Sequence, residues 1–173
     1  MLPRRLFLAL TFSAASTAVL SIPVPAFAQG PDPAAIVKSI YGKRDPYGAA
    51  AAIQLRGPRG RALSKSLAAL WKRSDDATPA EDEPVPGFDI ASNSQDREIA
   101  RVEVTVEKQD ATRATVAAKL FNKGPRIKYP ASDDIVRYDF VRENGRWLID
   151  NIRSTIDGKE WTIRGLLNEG LKS

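Results

Sequence analysis

Ile99-Ala100-Arg101-Val102-Glu103-Val104-Thr105-Val106-Glu107 alternates apolar with polar side chains. A period of two sets Ala100, Val102, Val104 and Val106 on one face of a strand and the charged residues on the other. Gln109-Asp110 then supplies a turn, after which Ala114, Val116, Ala118 and Leu120 alternate again. Val136, Tyr138 and Phe140 begin a third strand. Glu143-Asn144-Gly145 reads as a tight hairpin turn, because asparagine and glycine tolerate positive φ. A fourth strand, residues 146–153, carries apolar residues on both faces and is expected to be more deeply buried.

Upstream of this meander the period is helical. Asp32-Pro33 combines a capping side chain with proline at the first helical position. Ile36, Val37, Ile40 and Tyr41 form one apolar stripe, and Gly42 ends it. A second helix is expected from about residue 61 to residue 73, with Leu63, Leu67, Leu70 and Trp71 on one face and Lys65 and Lys72 on the other. Residues 43–60, with Gly48, Gly57, Pro58 and Gly60, read as an irregular connection. Residues 74–96, with Pro79, Pro84 and Pro86, read as a surface loop. A last helix over residues 160–172 sets Trp161, Leu166 and Leu167 against the sheet. The order predicts an α+β fold: amino-terminal helices packed on a curved four-stranded antiparallel sheet, cone-like, with a carboxy-terminal helix.

The amino terminus reads as a cleavable signal peptide. Arg4 and Arg5 precede an apolar run over residues 6–22, and Ala26-Phe27-Ala28 offers a small-x-small cleavage site before Gln29. Arg4-Arg5-Leu6-Phe7-Leu8 also resembles the twin-arginine export pattern, with Pro3 and Ala9 departing from it, so both that route and general secretion stay open. Export implies a periplasmic or secreted protein, with residues 29–173 as one domain and no stable membrane insertion after cleavage. That segment holds 24 basic and 21 acidic side chains, too even a balance to argue for nucleic acid. Cysteine and histidine are missing altogether, and Met1 is the lone methionine. Disulfides, thiolate nucleophiles, histidine triads and the usual zinc sites are therefore excluded, and no cofactor or metal is expected. Residues 43–73 carry eight bases and one acid, whereas residues 74–96 carry seven acids and no base. Mutual neutralisation accounts for this; a charged rim for a partner is the alternative.

Several stretches together carry a family resemblance. They are Ile36-Val37-Lys38-Ser39-Ile40-Tyr41, Ser66-Leu67, Leu70-Trp71, Phe88-Asp89, Gln95-Asp96, Tyr138-Asp139-Phe140-Val141-Arg142 and Gly145-Arg146-Trp147-Leu148-Ile149-Asp150-Asn151-Ile152-Arg153. In combination and order they resemble the bacterial exported family called domain of unknown function 3828, akin to the cone-shaped nuclear transport factor 2 fold, over most of residues 33–170. The resemblance implies fold and compartment, and no reaction.

Candidate pocket residues are Tyr41, Trp71, Phe88, Asp89, Gln95, Asp96, Tyr138 and Trp147. Phe88, Asp89, Gln95 and Asp96 either line the mouth of a cone, with an aspartate as proton acceptor, or anchor and cap a loop. Tyr138 and Trp147 come from strands joined by a tight turn, which makes them near neighbours across the sheet. With Asp139 and Asp150 they suggest a tyrosine donor and an aspartate base. Core packing is the alternative, and Asp139 should face away from Tyr138. Lys123, Arg126 and Lys128 surround Gly124-Pro125 as a hairpin tip or an anion contact, and Asp133-Asp134 makes only a weak metal signal. The function expected is non-catalytic binding of a small molecule or another envelope protein. A small enzyme using an aspartate base and a tyrosine donor, and an interaction or immunity-type protein, are the alternatives.

Overall fold

The stretch around Val104 forms β1 (Ile99–Gln109), an edge strand. The computed structural model describes residues 31–42, 61–79, 85–95, 98–123 and 130–172. The expected leader, the connection 43–60, Asp96 and the 124–129 part of the hairpin tip lie outside them.

β2 (Arg113–Asn122), β3 (Ile135–Glu143), β4 (Arg146–Ile156) and β5 (Lys159–Thr162) follow in sequence order, each antiparallel to the last. Turn chemistry sets the register. Asp110 accepts hydrogen bonds from the Thr112 and Arg113 backbone N–H groups at 2.7 and 2.8 Å, which hold its carboxyl below the usual range. Asn144 (φ 50°) and Gly145 (φ 78°) turn β3 into β4 in left-handed backbone.

Five strands replace the expected four. Asp157 (φ 52°) and Gly158 (φ 75°) repeat the Asn144-Gly145 geometry and return the chain as β5, where a helix from residue 160 was expected. Helix α3 starts only at Ile163 (Ile163–Gly170), and its cap Thr162 accepts the Gly165 N–H at 2.9 Å.

The double-faced pattern of β4 has a local cause. Asp139 pairs with Asn151 but Phe140 pairs with Ile149, so Asp150 is the extra residue of a β-bulge. Ile149 and Ile152 would face opposite ways in a regular strand; the bulge turns both inward, where both are fully buried.

Helix α1 (Pro33–Gly42) starts as expected, with Asp32 accepting the Ala35 N–H at 2.8 Å. Helix α2 (Lys65–Ala77) starts four residues later than residue 61. The delay arises because Leu63 runs beside Ile149 as a short parallel bridge, with Ser64 N–H to Ile149 O and Ile149 N–H to Ala62 O both at 2.8 Å. Ser64 then caps the helix through the Leu67 N–H at 3.0 Å. Val37 and Ile40 of α1, Leu67, Leu70 and Trp71 of α2, and Ile163 and Leu167 of α3 are buried in one core with the inner face of the sheet. Burying each large apolar side chain contributes roughly 1.5–3 kcal/mol. The opposite face is polar, with Glu107 paired to Arg137 and Asp139 to Arg153.

Candidate functional site

The residue that organises the interior is Tyr138. On β3 it follows the inward alternation and is fully buried. Its hydroxyl lies 2.9 Å from that of Tyr41 on α1, ninety-seven residues earlier, and the two rings meet edge to face. Tyr41 donates to the Ala91 carbonyl oxygen at 3.0 Å. A hydroxyl has one proton, so Tyr138 is the donor to Tyr41 and the chain runs Tyr138, Tyr41, Ala91. Burial pushes the Tyr138 phenol well above the ordinary tyrosine range, with Tyr41 and then the Asp89 charge adding to the effect. Tyr138 is thus held neutral, as a donor whose proton is already engaged.

The loop over residues 85–95 closes this end of the core. Phe88 stands edge-on against Trp161 of β5 with centroids 5.2 Å apart. Asp89 accepts the Ala91 N–H at 3.0 Å, and the Asp89 and Ser94 backbones pair with each other. Gln95 is exposed, and its amide donates to the Gly87 carbonyl at 3.0 Å. Loop anchoring and turn capping therefore describe Phe88, Asp89 and Gln95; Asp96 lies outside the described residues.

Trp71 is buried in the core beneath α2. Trp147 is elsewhere. Tyr138 pairs with Ile152 whereas Trp147 pairs with Arg142, four positions further along β3, so the two aromatics are not cross-strand neighbours. The tight turn joins the far ends of β3 and β4, while Tyr138 sits mid-strand. Trp147 is half-buried, with the Arg142 guanidinium 5.6 Å from its ring centre.

The remaining aspartates serve the architecture. Asp139 faces outward and binds Arg153 at 2.9 Å and the Thr115 hydroxyl at 2.8 Å. Asp150, in its bulge, accepts the Ser64 hydroxyl at 2.6 Å and Arg164 at 2.5 Å, while Arg164 Nε donates to the Asp150 carbonyl at 2.7 Å. This node ties the Ser64 cap of α2 and the first turn of α3 to β4. Asp133 is buried and receives the Asp157 N–H at 2.8 Å and the Thr155 hydroxyl at 2.5 Å, fastening the β4–β5 turn. No group of three or more metal-ligating side chains occurs among the described residues.

Sequence reasoning missed Asn93, which joins loop to sheet. Its amide donates to the carbonyls of Asp133 at 3.0 Å and Thr155 at 2.7 Å and accepts the Trp161 indole N–H at 2.9 Å. Arg164 was missed as well. Neither has a local signature, since every partner is distant in sequence.

Comparison with protein-family models, curated proteins and solved structures finds no match to the chain.

Proposed function

We propose that the chain is an exported, non-catalytic binding domain of cone-like nuclear transport factor 2 build, whose partner is another envelope protein. One observation carries this reading. The aromatic side chains best suited to line a pocket, Trp71 and Tyr138, are packed into the core, and the hydroxyl most suited to chemistry, that of Tyr138, is closed onto Tyr41, which in turn donates to Ala91. Recognition then falls to the outer surfaces, which are polar and charged. The leader reading supports the compartment, and the order of helices and meander supports the cone.

In-cell photo-crosslinking from exposed positions on α2 and on the outer face of the sheet tests it. The expected product is a discrete adduct with an envelope protein, retained when Tyr138 is changed to Phe. Loss of the adduct in Tyr138→Phe with the fold intact would contradict it. A second reading, proton transfer by Asp89 and Tyr138, draws on the influence of Asp89 over the phenol. It requires the Tyr138 proton to turn from Tyr41 to a ligand.

A further inference from the structure

Among the described residues β1 is an edge of the sheet, with β2 as its strand neighbour. At the two ends of the β1–β2 hairpin, Asp110 N–H donates to Arg113 O and Lys123 N–H donates to Glu98 O, both at 2.9 Å. Antiparallel ladders alternate hydrogen-bonded with non-bonded pairs. Counting inward from both ends, across the register shifts at 99/101 and 106/108, gives the same result. Arg101, Glu103, Thr105 and Lys108 turn their backbone groups toward β2. Val102, Val104 and Val106 turn theirs to the outside.

The two bulges bound a regular window from Val102 to Val106, and its centre is Val104. Val106 on the inner face is 42% exposed, against complete burial of Val116 beside it. We infer that this edge pairs antiparallel with β1 of a second copy of the chain, about a two-fold axis through Val104. The pairing matches Val104 with Val104 and Val102 with Val106, giving about six new main-chain hydrogen bonds in all. It sets valine on valine along the inner face and covers Val106. On the outer face Glu103 meets Thr105, and Arg101 meets Glu107.

The neighbouring registers are disfavoured by charge. Shifting the axis to Glu103 opposes two glutamates directly, and shifting it to Thr105 opposes Glu103 with Glu107; like charges so placed are destabilising. The bulges and charges that commonly blunt an edge here limit pairing to one short window and one register. The inference is independent of the envelope partner proposed above. A contact of this size falls below a standard interface, so the dimer is expected to be concentration-dependent.

Sedimentation velocity over a concentration series, on the exported protein and its variants, tests the inference. The native protein is expected to pass from monomer to dimer mass as concentration rises. Thr105→Glu places a second acid against Glu103 of the other copy and should weaken the dimer about threefold to tenfold. Thr105→Lys places a base there and should tighten it by a similar factor. Val104→Pro, whose nitrogen faces outward and gives β2 no hydrogen bond, should abolish it. Should that variant fail to fold, the Thr105 pair still decides. Monomer mass at every concentration, or Thr105 variants moving affinity in the same direction, would overturn the inference. Either result leaves the proposed envelope partner untouched.

Discussion

At the residue scale the tyrosine chain makes an asymmetric prediction. Tyr138→Phe removes one donor but leaves Tyr41 bonded to Ala91, so the expected loss is about 1 kcal/mol, a typical net hydrogen bond. Tyr41→Phe strands both the buried Tyr138 hydroxyl and the buried Ala91 carbonyl, and should cost about 2–4 kcal/mol. Denaturant unfolding of the two variants gives the order; equal losses would contradict the assigned donor direction. The same phenol sets an alkaline limit. Its acidity is lower in the folded chain, so the folded state keeps a proton that the unfolded state releases. That contribution is whole below about pH 10, the unfolded tyrosine value, and is lost as pH rises above it. The stability gap between native and Tyr138→Phe protein should therefore shrink, then reverse, between about pH 9 and pH 11. A constant gap across that range would count against a buried neutral phenol.

At the element scale the long strands and the Asn144-Gly145 hairpin were legible, because alternation and turn chemistry are local properties. The carboxy-terminal edge was less so. Asp157-Gly158 carried the same turn chemistry, but β5 is four residues long and runs directly into a helix, so no alternation marks it. The start of α2 was misplaced because Leu63 fits the helical stripe while its backbone is engaged by Ile149. The Asp150 bulge appeared only as an unexplained two-faced strand. Of the candidate site, the capping role of Asp89 and the anchoring role of Phe88 were readable alternatives. The meeting of Tyr41 with Tyr138, and the ties made by Asn93 and Arg164, depend on partners far away in sequence.

Two carboxylates should then carry element-level stability. Asp133→Ala removes the acceptor for the Asp157 N–H and the Thr155 hydroxyl inside a buried corner, at about 2–4 kcal/mol. Hydrogen exchange should accelerate first in β5, ahead of β2 and β3. Asp150→Ala releases Ser64 and Arg164 together; that pair is partly exposed, which reduces the expected loss to about 1–3 kcal/mol. Its signature is faster exchange at the starts of both α2 and α3. Protection lost at only one of those helices would contradict a shared node.

For the whole molecule, helices cover one face of the sheet, and Trp71 and Tyr138 are packed into the core between them. No helix among the described residues is long and apolar enough to cross a membrane. The outer sheet face, with its Glu107–Arg137 and Asp139–Arg153 pairs, and the β1 edge are surfaces on which recognition can occur. The most direct measurement is the native mass of the protein purified from its own host. The expected result is a polypeptide beginning at Gln29, alone or with protein partners, and carrying no small molecule. A chain still beginning at Met1, or a stoichiometric small molecule retained through purification, would contradict it.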